Sequence, residues 1–145
     1  MAYASPMPAL HSQTQHADRP AAPHHVPVQL TSLVGREREV AAICDLLRSD
    51  GSRLLTLTGA PGIGKTRLAI EVCNRLRGHF PDGIYFVNLA PVTGPDSALQ
   101  AVATGLGIRQ IGDQSLEEVL GRFLSGKQLL LLLDNFEHVL AAGPA

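Results

Sequence analysis

Tryptophan is absent from this chain, and two tyrosines with four phenylalanines are all the large aromatics it holds. Any core must therefore be built from aliphatic side chains. An excess of one charge sign is missing too: 12 Lys and Arg face 13 Asp and Glu, for a formal net charge of -1. That balance leaves no electrostatic footprint for DNA or RNA, so no direct nucleic-acid contact is expected from this chain. Cysteine is scarce, and Cys44 and Cys73 both fall on expected helix faces. They read as small core residues of a reduced, cytosolic protein rather than as a disulfide. Long hydrophobic runs are lacking as well. The longest uninterrupted leucine run covers only residues 129–133, against the roughly 20 apolar residues a membrane span needs. No apolar signal-peptide core stands at the N-terminus. The expected location is cytoplasmic, with no membrane partner.

What the chain does have is 45% apolar residues in 145 positions, enough for one domain, and one motif that organises the rest. Gly59-Ala60-Pro61-Gly62-Ile63-Gly64-Lys65-Thr66 fits the phosphate-binding loop G-x-x-x-x-G-K-[ST]. Glycines let the backbone curl so that successive N–H groups face a phosphate, and a following helix adds the positive end of its dipole. Lys65 is placed to reach the β- and γ-phosphates and Thr66 to hold Mg²⁺. The flanks agree. Residues 53–58 form a short apolar, β-branched run, and Leu68, Ala69, Val72, Cys73 and Leu76 recur at helical spacing.

Residues 1–29 are rich in Pro, Ala and His without a sustained period and read as a disordered leader. Its histidines, among them His11, His16, His24 and His25, read as solvated rather than metal-binding. Residues 30–145 form the expected folded part. Val40, Ile43, Cys44 and Leu47 mark an amphipathic first helix, with Arg36 a solvated charge near its start. Residues 84–89 suggest a second strand and Leu99, Val102, Ala103 and Leu106 a helix capped by Asp96 or Ser97. Ser115-Leu116-Glu117-Glu118 is a capping box opening another helix. The leucine run that ends in Asp134 reads as a central strand buried on both faces. The alternation of strand and helix predicts an α/β fold: a three-layer P-loop architecture with a parallel sheet.

Asp134 at the end of that strand is the expected partner of Thr66 around Mg²⁺. Hydrolysis also needs a group that activates water. Asn135 cannot act as a base, so Glu137 is the first candidate and His138 the next.

Together, Leu33-Val34-Gly35-Arg36-Glu37, the loop over residues 59–66 and Leu133-Asp134-Asn135-Phe136-Glu137-His138 resemble the nucleotide-binding domain of STAND-class, NB-ARC/AAA-related P-loop ATPases. The likeness is to large bacterial regulators with tetratricopeptide repeats or a LuxR-type helix-turn-helix. The resemblance implies that Val34, Gly35 and Arg36 lie over the adenine and ribose of ATP, and that Arg67 belongs with the loop residues at the nucleotide. It implies a strand order in which one further strand separates the loop strand from the Asp134 strand. It implies a switch, off with ADP and on with ATP, in which protein partners or self-association in a longer parent protein carry the signal. Family elements beyond the Asp134 strand have no counterpart before Ala145, so the expectation is a domain incomplete at its C-terminus. Two inner strand edges should then be unpaired. Neither Arg53 nor Arg67 stands out as an arginine finger. The leading function is an ATP-binding, slowly hydrolysing switch domain of a signalling or transcriptional regulator. The alternative is a nucleotide-holding adaptor without turnover. A small P-loop kinase lacks an acceptor pocket and lid.

Overall fold

The computed structural model describes residues 2–4, 22–49, 51–109 and 113–141. In chain order the elements are β1 (Ala2–Ala4), β2 (His24–His25), α1 (Glu37–Arg48), β3 (Leu54–Leu55), α2 (Lys65–Arg75), β4 (Ile84–Asn88), α3 (Pro95–Gly105), α4 (Leu116–Leu124), β5 (Leu130–Asp134) and α5 (Glu137–Ala141). The fold is α/β, and its sheet runs in the order β2-β4-β5-β1-β3.

The leucine run explains the layering. Successive strand residues face opposite sides, so Leu130 and Leu132 join one core and Leu129 and Leu131 the other. The first core holds Val40, Cys44 and Leu47 of α1 with Leu68, Ile70, Val72 and Cys73 of α2. The second holds Ala103 of α3, Leu120 of α4, and Leu89, Leu106 and Val139. Each such aliphatic side chain contributes about 1.5–3 kcal/mol by leaving water. The buried core includes Phe80, Tyr85, Cys44 and Cys73 but is otherwise aliphatic, as the scarcity of aromatics demands. Local signals hold at the helix ends. Acidic Glu37 and Glu39 stand in the first turn of α1 and Arg48 in its last, matching the helix dipole. Ser115 Oγ accepts the Glu118 N–H at 3.2 Å, one half of the capping box. The start of α3 departs from expectation: its N-cap is Gly94 with no side-chain cap bond and Pro95 opens the helix, so neither Asp96 nor Ser97 caps it and both lie in its first turn.

Three expectations change. First, Ala2–Ala4 and His24–His25, both within the supposedly disordered leader, are strands. Strand β2 pairs in parallel with β4, and β1 lies between β3 and β5, antiparallel to both. Second, the expected unpaired gap between the loop strand and the Asp134 strand is therefore occupied. A strand does separate them, but it comes from the N-terminus and runs antiparallel to its neighbours, beside the expected parallel sheet of β2, β4 and β5. Third, the loop strand is two residues long, because β1 pairs only with Leu54 and Leu55. His24 and His25 are engaged: His24 Nε2 lies 3.1 Å from Asn74 Oδ1, and the His25 ring stacks on Tyr85 with centroids 5.4 Å apart. His11 and His16 lie outside the described residues.

Strand β1 is antiparallel to both neighbours, so β3 runs parallel to β5, and β5 parallel to β4. The carboxyl ends of β3, β4 and β5 thus share one edge of the sheet, where α/β folds place their ligands.

Candidate nucleotide site

The loop that follows β3 crosses that edge. Gly64 adopts φ +85° and ψ +25° just before α2, a left-handed conformation that glycine takes without steric cost. Gly59 takes φ +153°, which side-chain-bearing residues rarely adopt, and a Cβ there would also push aside the Ile63 side chain, whose Cδ1 would lie at 2.3 Å. Gly64 has no side chain to cap α2, and the N–H groups of its first turn have no intrahelical partner. They form a ready anion site.

Lys65 folds back over this loop. Its Nζ donates to the carbonyls of Gly59 and Ala60 at 2.8 and 3.1 Å. Thr66 Oγ1 stands 2.8 and 3.0 Å from the two carboxylate oxygens of Asp134. Two motifs 68 positions apart in the chain therefore meet side by side.

A cavity of about 720 Å³ opens under the loop. Its lining includes the polar residues Lys65, Thr66, Asp134 and Glu137 and the apolar residues Leu57, Val72 and Leu132. Glu137 is exposed at the start of α5, and His138 is exposed beside it; His138 does not line the cavity. Val34, Gly35 and Arg36 do not line it either. Val34 is 82% exposed. Arg36 is not the solvated charge expected from the sequence: Nη1 donates to the Ile63 carbonyl at 3.0 Å, and the guanidinium pairs with Glu39. It ties the segment before α1 to the phosphate-binding loop. Arg67 does not line the cavity; its Nη2 donates to Thr31 Oγ1 at 2.7 Å and to the carbonyls of Thr31 and Ser32. Glu37 accepts the Gly35 N–H at 3.0 Å. Backbone N–H bonds, its own and that of Gly35, hold its carboxyl below the usual value.

Asn88 escaped the sequence reading, and Asn135 enters it only as unable to act as a base. Asn135 takes a left-handed φ of 59°, and its Nδ2 donates to Asn88 Oδ1 at 2.9 Å. Both follow or end a strand at the ligand-binding edge, which was the available signal.

The donor set suits Mg²⁺. This ion keeps several waters and takes one or two protein oxygens together with phosphate oxygens, and one carboxylate converges here with one hydroxyl. Among the described residues no cluster of three or more His, Cys, Asp or Glu forms a cage for another metal.

The profile of the family described as AAA ATPase domain matches residues 32–144. The chain belongs to the AAA ATPase domain family. Relatives of this AAA domain include Regulatory protein AfsR of Streptomyces coelicolor, 33% identical over 129 residues, 78% of this chain and 13% of that protein. The Mycobacterium tuberculosis protein named "Putative HTH-type transcriptional regulator Rv0890c" is 38% identical over 91 residues, 63% of this chain and 10% of its own length. Uncharacterized protein Rv0894 of the same species is 37% identical over 120 residues, 82% of this chain and 30% of that protein. The AAA domain thus spans less than a third of each of these curated relatives. No solved structure matches it significantly. Among the described residues, no helix is long and apolar enough to cross a membrane.

Proposed function

We propose that this AAA domain binds ATP with Mg²⁺ and hydrolyses it slowly, as the switch of a cytoplasmic signalling or transcriptional regulator. The observation that carries the reading is the 2.8 Å approach of Thr66 Oγ1 to Asp134 Oδ1 across the mouth of a glycine loop. In this reading Lys65 exchanges the carbonyls of Gly59 and Ala60 for phosphate oxygens. The loop N–H groups hold the β-phosphate, and Thr66 with Asp134 hold the metal. When bound, Mg²⁺ neutralises charge on the terminal phosphates. Glu137 accepts the proton of a water whose oxygen attacks the γ-phosphorus, while the bond to the β–γ bridging oxygen breaks and ADP leaves. The Arg36 contact to Ile63 gives the segment carrying Val34 and Gly35 a direct grip on the loop, which supports a place for that segment at the base and ribose. Arg67, bonded to Thr31 and Ser32, supports the same segment rather than the phosphates. The names of relatives such as AfsR support a regulatory setting.

The test is titration of the chain with ATP in Mg²⁺ and in EDTA. Asp134→Ala should abolish the advantage that Mg²⁺ confers, and an unaltered advantage would remove Asp134 from the site. A second reading, an adaptor that holds nucleotide without turnover, is favoured by Asn135 standing where a carboxylate base would be useful. Phosphate release separates the two. Release lowered in Glu137→Gln supports the switch; no release from the unaltered chain supports the adaptor.

A further inference from the structure

We infer that Asn135 and Asn88 form a neutral clip that positions the Asp134 carboxylate for the metal, an inference that rests on the nucleotide reading above. Among the described residues, Asn135 is the one non-glycine residue with positive φ. Such a conformation is costly and tends to persist where the surrounding contacts hold it. Here the left-handed turn sends Nδ2 back toward the sheet edge, 2.9 Å from Asn88 Oδ1 and 3.5 Å from Asp134 Oδ2. The Asn88 oxygen is fixed from a second side, since it also accepts the Ala90 N–H at 2.9 Å. Asn88 and Asp134 are register partners on β4 and β5, and the Leu89 N–H donates to the Asp134 carbonyl at 2.9 Å. The carboxylate therefore takes the Thr66 hydroxyl across both its oxygens, and the Asn135 amide reaches Oδ2 as a longer second contact.

An amide suits this task. It orients a carboxylate through its N–H without adding a charge that competes with the cation for it. An acid at position 135 would repel Asp134 and would not donate to it. Partners that orient a metal ligand typically tune metal affinity 10–100-fold. The clip also links the end of β4 to the site, so Asn88 acts through Asn135 and is a positioning residue that touches neither nucleotide nor metal.

Asparagine also tolerates a left-handed turn for purely local reasons, and Asn135→Gly separates the two roles because glycine keeps the turn and removes the amide. The experiment is calorimetric titration of the full chain with ATP, in Mg²⁺ and in EDTA. In Asn135→Gly and Asn88→Ala the ratio of the two affinities should fall about 10–100-fold, with the affinity in EDTA within twofold of the unaltered chain. An unchanged ratio in Asn135→Gly makes the residue a turn former and overturns the clip while leaving the nucleotide site standing. Equal losses in Mg²⁺ and EDTA overturn it in favour of a general structural role. No Mg²⁺-dependent ATP binding by the unaltered chain fells the nucleotide reading and the clip together.

Discussion

Replacing Lys65 by alanine should leave the fold almost untouched while removing most of the stabilisation that ATP confers. Without nucleotide, Lys65 Nζ is held by two loop carbonyls at 2.8 and 3.1 Å, in an exposed loop where water replaces the lost donor. The loss is at most about 1 kcal/mol. With nucleotide, the same ammonium makes charge-assisted bonds to phosphate, each worth about 1.5–3 kcal/mol. Taking about 3 kcal/mol as the loss, Kd rises roughly 150-fold. At ATP 100 times the original Kd, binding stabilises the unaltered chain by about 2.7 kcal/mol. The variant retains about 0.3 kcal/mol by the same relation. The difference corresponds to about 8 °C in Tm for a domain of this size. Calorimetric melting with and without Mg²⁺ and ATP measures both quantities. An ATP-induced rise in Tm that is undiminished in Lys65→Ala would refute the phosphate-binding assignment. A fall of 8 °C without nucleotide would show the lysine to be structural.

Leu130, fully buried where β5 meets the core under α1 and α2, should cost about 2–5 kcal/mol on replacement by alanine; chemical denaturation gives the value, and a loss under about 1 kcal/mol would contradict its central position. Removing residues 1–21 takes away β1 and exposes the inner edges of β3 and β5, so light scattering should report a larger mass than for the full chain. An identical mass and Tm would show that β1 does not hold the sheet. Cys73 is buried, and desolvation raises its thiol from 9.0 to about 12. The folded chain therefore keeps this proton between about pH 9 and 12 while the unfolded chain loses it, so stability falls as pH rises through that window. Cys73→Ala should flatten this alkaline decline, and native Cys73 should resist iodoacetamide at pH 8 until denaturant is added.

The candidate site was largely legible because each of its motifs carries a local constraint. Glycines at 59 and 64 answer to backbone geometry, and a carboxylate ending an apolar strand answers to the rule about strand ends. Arg36 was misjudged because nothing near it in the chain shows that its partner is the carbonyl of Ile63, 27 positions on. The pairing of Asn88 with Asn135 spans 47 positions and is equally silent in the sequence.

By itself, the sequence determined the α/β pattern, the two-sided burial of β5, the Ser115 cap and the meeting of Thr66 with Asp134. Each follows from periodicity, conformational preference or a short motif. Only the tertiary structure decided that Ala2–Ala4 completes the middle of the sheet and that His24–His25 extends its edge. Strands of two or three residues have no period to read. Backbone N–H and C=O groups are alike at every residue, so which strands pair is settled by the packing of distant segments and not by the identity of the residues that pair.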